Sequence, residues 1–375
     1  MKSYIIFVMK RCWHRKINVA LMALVLLIIS GIFFMNLTNQ SRLIKSLERA
    51  KNEYSVQAEE YKQRLDNEKK DLDFILETYN SSIEKIKTYE SLCEDFNENN
   101  KKAFYQGYIK MLNENKATAL ENEDHQKEMV EDFSRQLAYF THLERYDLDY
   151  EDMNYPIFAL PFLVSLFENI LLLIVLVLSI YISAQIYTFN YHQSMDLGKL
   201  LPYGNKQIVF MNIFISILVS LGILFVSMLF TILLSLVFTQ NIGLDYPILI
   251  TTVSNSVLDV LLKDLLLSFE ILIFANLSCL MVSQFIHDEM TIMFLFVLVI
   301  VLFGYLSGYL GILKPFIHFI PFTYIQTGNI INGTLSLLLN NDQLTFNMGV
   351  LSLGIYICCL VGCLYLYFVY QRKNT

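Results

Sequence analysis

Six stretches of this chain are each long and apolar enough to cross a bilayer as a helix: 17–36, 162–187, 208–238, 261–285, 290–313 and 348–370. A crossing takes about 20 mostly apolar residues. In lipid, only a helix or a closed barrel satisfies every backbone polar group. The fold class expected is an all-α polytopic membrane protein. Charge is distributed to match. Residues 37–160 hold 17 Lys/Arg and 26 Asp/Glu, whereas the rest of the chain holds 11 and 9. A water-soluble insert thus sits between the first span and the other five. This pattern excludes a single soluble globule and a membrane β-barrel, whose strands alternate apolar and polar residues. It also excludes a nucleic-acid binder built on net positive charge, so the first partner expected is the lipid bilayer.

The first span runs through Phe33, Phe34 and Met35 straight into the charged insert, with no small-residue cleavage site. It is predicted to be a retained anchor rather than a signal peptide. Lys2, Lys10, Arg11, Arg15 and Lys16 precede it, and Arg372 and Lys373 follow the last span. Lys199 and Lys206 lie in the loop 188–207. Positive charge favours the cytoplasmic side, so both termini and this loop are expected there and the insert outside. Abundant Lys, Asn and Ile with little Gly and Pro suggest a bacterium of AT-rich genome, and the expected location is its plasma membrane. The basic segment 1–16 reads as a plain flank or as a short interfacial helix.

No proline occurs before Pro156, and Gly107 is the only glycine between Gly31 and Gly198. A seven-residue ladder runs Ile44, Lys51, Ala58, Leu65, Leu72, Tyr79, Ile86, Cys93, with a second rung from Leu47 through Tyr54 and Ile75 to Tyr89. These resemble the a and d positions of a coiled coil. The ladder predicts one helix over 42–95, roughly 80 Å long at about 1.5 Å per residue. The polar run Asn97, Glu98, Asn99, Asn100 then breaks it. A second helix carrying Phe104, Tyr108, Leu112, Met129, Phe133, Leu137 and Phe140 would return to span two. The insert 37–160 is therefore predicted to be an extracellular, coiled-coil-like helical hairpin. It would be either a plain stalk or a surface that captures a substrate or an outside partner.

The loop 188–207 carries Asp196, Gly198, Lys199, Leu200, Leu201, Pro202 and Lys206. A glycine, a Leu-Pro pair and a basic residue in that order resemble the coupling segment of ABC-2 type ABC transporter permeases. The family's acidic residue falls near His192–Gln193, where this chain has none, and Asp196 is the substitute. One span, an insert and five spans is also a layout of the family's longer members. The resemblance implies that the loop forms a coupling helix resting on a separate ABC ATPase (nucleotide-binding) subunit. It implies a dimer too, with a second permease copy or a sibling permease. Residues 314–346, with Pro315, Phe316, Phe319, Pro321, Phe322 and Tyr324, are too apolar for a solvated loop. They are expected to re-enter the outer leaflet as two short helices, as in that family.

No G-x-x-x-x-G-K-[ST] is present, and neither is HExxH or G-x-S-x-G. The six histidines show no ligand spacing, and the six cysteines read as packing residues. The chain is therefore expected to be no enzyme and to bind no cofactor or metal. ATP and Mg would sit on the partner subunit. Ionisable groups at membrane depth are functional candidates. Glu168 in span two and Glu270 in span four are the candidates for a translocation path, the alternative being reach to interfacial water. Asn212, Asn276 and Gln284 are expected to bond between helices, and Gly304 with Gly308 makes a GxxxG-like pair. The function expected is the permease subunit of an ATP-driven exporter moving a peptide, lipid, drug or ion outward. The alternative is a non-transport membrane sensor or scaffold that uses its extracellular coiled coil to bind a partner.

Overall fold

A computed structural model describes residues 2–67, 72–121, 127–189, 191–192, 195–196, 205–250, 253–306 and 313–374. The chain is almost wholly helical and divides into two compact units: a membrane unit of residues 1–33, 158–244 and 257–375, and an insert unit of residues 34–157 and 245–256. Its membrane-crossing helices make it a multi-pass membrane protein.

The membrane unit begins with α1 (Lys2–His14) and α2 (Lys16–Asn39). It continues with α7 (Ala159–Asn169), α8 (Leu171–Thr188), α9 (Asn205–Thr239), α10 (Val257–Ser283) and α11 (Glu289–Val299). A π-helical stretch, Ile300–Leu306, prolongs α11. Two 3-10 turns follow, Lys314–Phe319 and Pro321–Ile325, and then α12 (Thr327–Ile331), α13 (Thr334–Leu339) and α14 (Phe346–Asn374). Six of these are long and apolar enough to cross a membrane: α2, α8, α9, α10, α11 with its π-helical end, and α14.

Helix α8 is the centre of this unit, because fifteen of its eighteen residues are buried. Helices α9, α10 and α11 pack around it. Their outer faces expose Phe210, Phe225, Leu262 and Phe294, and α14 exposes Leu351 and Tyr365. A water-soluble protein rarely leaves apolar area of this extent uncovered, in keeping with a multi-pass membrane protein. Helix α1 confirms helical structure in the basic N-terminal segment. It buries Tyr4 and Val8 and leaves Ile6, Phe7 and Trp13 exposed. Tyr4 donates to Asn212 Oδ1 of α9 (3.0 Å), and the Arg11 guanidinium lies 3.7 Å over the Phe189 ring. Between α1 and α2, Arg15 grips Glu289 at the start of α11 through two bonds of 3.1 and 2.8 Å. That fork geometry is the strong form of such a pair. Asp288 caps the same helix by accepting from the Thr291 amide (2.8 Å), and these bonds hold its carboxyl below the usual carboxylate range.

Span two differs from its expectation as one helix over 162–187. It is broken at Ile170 (φ −149°, ψ −19°), whose N–H returns to Leu166 O and ends α7. Neither glycine nor proline marks the break, so tertiary packing makes it.

The insert unit is built from α3 (Arg42–Asn67), α4 (Leu72–Asn97), α5 (Lys101–Glu121), α6 (Lys127–Tyr146) and a β-hairpin. The single helix expected over 42–95 is instead two antiparallel helices. Tyr54 of α3 stacks on Tyr89 of α4 with ring centroids 5.7 Å apart, and Lys51 meets Glu90 at 3.8 Å. Part of the ladder forms a buried seam: Leu47, Ala58, Ile75 and Cys93 are buried, whereas Leu72 is exposed. It pairs with itself within the chain, because folding back covers the apolar seam without waiting for a second copy. Asn99 (φ 59°) turns the chain into α5, and Asn100 N–H reaches back to Asp95 O (2.8 Å). Helices α5 and α6 form a second hairpin, with Tyr108 against Phe140 at 4.4 Å and Gln106 donating to Glu144 (2.8 Å). Among the described residues the insert unit thus holds four helices, where two were expected.

Its core is aromatic: Phe104, Tyr105, Tyr139 and Phe140 are all buried. Three phenols hold the segment after α6. Tyr105 donates to Leu148 O (2.9 Å), Tyr139 to Glu151 O (2.8 Å) and Tyr246 to Asp149 O. Pro247–Ile250 and Val253–Ser256 form an antiparallel hairpin, with Pro247 opposite Ser256 and Ile250 opposite Val253. The sequence reading had no strand here, although Ile248, Ile250 and Val253 are strand formers.

Candidate functional site

The break at Ile170 places Glu168 on the last turn of α7, pointing into the membrane unit. The segment that meets it is the one expected to re-enter the membrane, residues 314–346. Pro315 and Pro321 each start a 3-10 turn, since proline fixes φ and needs no donor there. Tyr324 donates to His318 O (2.7 Å) and ties the two turns together. Gln326 Nε2 donates to Gly304 O (3.0 Å) in the π-helical stretch. Helix α12 then delivers its side chains to Glu168. Asn332 Nδ2 donates to Glu168 Oε1 (3.1 Å), and Asn329 Nδ2 to the Glu168 carbonyl (3.2 Å).

A second acid joins this arrangement from α10. Asp264 is fully buried, and neither carboxylate oxygen has a hydrogen-bond partner. Thr327 at the start of α12 and Ser268, one turn along α10, are also fully buried with unpartnered hydroxyls. Asp264 lies within interaction range of both Thr327 and Glu168. A cavity of about 170 Å³ adjoins Glu168, lined by Phe167, Asn169, Tyr305, Gln326 and Asn329 among others.

The structure therefore brings Glu168 together with Asp264, not with Glu270. Glu270 is half-buried, one carboxylate oxygen has no partner, and it sits six residues on, about 240° round the helix from Asp264. Asp264 lies inside the fourth span, 261–285, but was not among the candidates read from the sequence. The sequence reading also missed Thr327, Asn329 and Asn332, which look like loop residues until α12 is seated on α7.

A polar layer lies deeper, among α8, α9 and α10. Asn276 Oδ1 accepts from Ser183 (2.6 Å) and Ser216 (2.5 Å), and its Nδ2 donates to Ser220 (3.1 Å) and Leu272 O (2.7 Å). Asn18 and Gln185 exchange amide bonds of 3.1 Å in each direction, joining α2 to α8. Asn212 and Asn276 thus bond between elements, whereas the Gln284 side chain donates to Leu280 O of its own helix region (3.3 Å). Replacing Asn276 by alanine is expected to lower stability by about 2 kcal/mol, because each interhelical bond in a membrane is worth roughly 0.6 kcal/mol and a small void is added. Thermal unfolding in detergent checks this, and an unchanged midpoint would mean the layer does not join the three helices.

In the loop 188–207, Tyr191–His192 pairs antiparallel with Met195–Asp196, His192 standing opposite Met195. A helix expected across Asp196 is replaced there by a two-residue ladder, a geometry that a two-residue connection allows. Lys206 falls in the first turn of α9. Gly198, Lys199, Leu200, Leu201 and Pro202 lie outside the described residues, as does Gly308. Gly304 is described, and a Cβ there would stand 3.0 Å from Phe322 O, so it serves contact within the chain.

No protein-family model, curated protein or solved structure matches this chain.

Proposed function

We propose that this chain is the membrane-spanning subunit of an ATP-driven exporter of the ABC-2 type. A peptide, lipid, drug or ion would move outward while a separate subunit hydrolyses ATP. The observation that carries the reading is the broken second span. Its end is met by short helices that bring polar side chains onto an acid at membrane depth, beside a cavity. Irregular backbone is tolerated at that depth only where protein covers it or it lines a cavity, and discontinuous helices are a common way to build a transport site. A plain anchor has no use for such a feature.

The order of one span, an insert and five spans supports the same reading, as does the loop from Asp196 to Lys206. In this proposal Leu200 and Leu201 dock on the ATPase, Gly198 and Pro202 bound the docking segment, and Lys199 and Lys206 face the cytoplasm. Movement there would pass into α8 and α9, which the loop joins. Because α8 packs on α9, α10 and α11, displacement of α8 reaches the Glu168 region. Two permease chains and two ATPases would complete the assembly.

The test is co-purification from native membranes in mild detergent. A stoichiometric protein with a Walker motif is expected to accompany the chain. Replacing Leu200, Leu201 and Pro202 together by alanine is expected to remove most of it and leave the spans folded. Reproducible absence of such a protein would overturn the reading in favour of a sensor or scaffold.

A further inference from the structure

Asp264 presents a physical problem that the export proposal does not solve. An ionised carboxylate moved out of water costs several kcal/mol unless it is paired and hydrogen-bonded. Asp264 is fully buried, and neither oxygen closes a well-formed hydrogen bond, although the Thr327 hydroxyl stands close enough to interact. Its neighbours do not supply a cation. The elements at its level, α8, α12 and the turn Pro321–Ile325, contain no charged residue. Helices α9, α11 and α14 are charged only near their ends. On its own helix, Lys263 is occupied by Asp259 at 2.6 Å, and Glu270 lies on another face. The charged group that reaches Asp264 from a packed neighbour is Glu168 of α7, which is of the same sign.

Two carboxylates in one site cannot both stay ionised without a compensating ion. Around this pair stand oxygens without partners: the Thr327 and Ser268 hydroxyls, both fully buried. A hydroxyl offers lone pairs to a small cation as readily as to a donor. Asn332 donates to Glu168, not to Asp264. Glu168 also lines the 170 Å³ cavity, so the buried pair has a side through which an ion can enter.

We propose that Asp264 and Glu168 bind one small monovalent cation, a proton or a sodium ion, with Thr327 and Ser268 as neutral oxygen ligands. The set suits a monovalent rather than a divalent ion. A divalent cation of the hard type gathers six or more oxygens, with several carboxylates. Among the described residues there is no group of three or more Asp, Glu, His or Cys placed to hold a metal. Ion binding here would also be coupled to α12: the ion would hold α7, α10 and α12 together, and its loss would leave two repelling acids between them.

The inference rests on the same cluster as the export proposal but not on any ATPase, and its test needs none. The purified full chain in detergent is heated in sodium chloride, potassium chloride and choline chloride at matched ionic strength. In parallel, infrared spectra are recorded for the carbonyl stretch of a protonated carboxyl group. For a sodium site, the unfolding midpoint rises with sodium and saturates, potassium and choline have no effect, and Asp264→Asn removes the rise. For a proton site, sodium has no effect, a protonated-carboxyl band is present near neutral pH, and Asp264→Asn removes it. Glu168→Gln should weaken either signal and serves if Asp264→Asn does not fold. No sodium dependence and no protonated-carboxyl band in the unsubstituted chain would overturn the proposal. That result would leave ATPase association untouched, so the two failures are distinguishable.

Discussion

Substituting alanine for Gly328 is expected to unseat α12 from α7 and to be among the most damaging single-methyl changes in the membrane unit. An added Cβ would stand 2.4 Å from Glu168 Cγ, 2.7 Å from its Cα and 2.9 Å from its backbone nitrogen. Side-chain ends can swing away, but backbone atoms cannot, so the helix itself must shift. Overpacking of a close-packed interior costs about 1–3 kcal/mol, and contacts this short belong at or above the upper end. The shift would also pull Asn329 and Asn332 off Glu168. Gly354→Ala is the matched control, since nothing lies within 4 Å of its Cβ position and alanine favours helix. Thermal unfolding of the two variants checks this. Equal midpoints would show that α12 does not rest on Glu168.

The insert unit is expected to unfold in alkali well before the membrane unit does. Tyr105, Tyr108, Tyr139, Tyr150 and Tyr246 are all pushed up from the ordinary phenol value, in each case first by burial and then by neighbouring negative groups such as Asp149, Asp132, Glu151 and Asp152. A raised folded value means the folded state holds its proton more tightly than the unfolded chain does. The stabilisation is therefore complete below the unfolded phenol value, about 10, and is lost as pH climbs above it. Each pH unit beyond that point removes about 1.4 kcal/mol per phenol. For five such groups, about two units suffice to reach the ~5–15 kcal/mol that holds a typical domain. Tyrosinate absorbance and helix content followed together should show a cooperative step, with a block of phenols ionising as the helices melt. Gradual ionisation near pH 10 with the helices intact would mean these hydroxyls are not buried as described.

What could be read from the sequence follows from how local each signal is. A run of about 20 apolar residues needs no partner to declare itself, so all six spans were visible. The heptads of the insert were visible for the same reason, but not what they pack against. Leu47, Ala58, Ile75 and Cys93 mark a seam equally well in one long helix or in two that fold back. Ile170 looks like any other apolar residue of a span, because its φ of −149° is imposed by the elements around it. Asp264 was in plain sight as an acid in a span, and its meaning came only from Thr327 and Glu168, separated from it by 63 and 96 positions in the numbering. The strands Pro247–Ile250 and Val253–Ser256 lie in a segment read only as a connection between spans, and two short β-branched runs carry too little periodicity to compete with that reading.

The π-helical stretch Ile300–Leu306 has a consequence for how this protein can change over evolutionary time. A π turn carries more residues per rise than an α turn, and its looser ladder frees carbonyl oxygens for other donors. Here Gly304 O is taken by Gln326 and Phe303 O by Thr323 (3.4 Å). Substitutions along this stretch, apart from Gly304 whose added Cβ would stand 3.0 Å from Phe322 O, alter packing alone. Loss of a single residue would restore an α-helical ladder, turn everything beyond it by about 100°, and carry both carbonyls away from the segment they hold. Descendants of this chain can therefore drift in composition at 300–306 far more freely than in length, and a one-codon deletion there would be purged where a dozen missense changes pass.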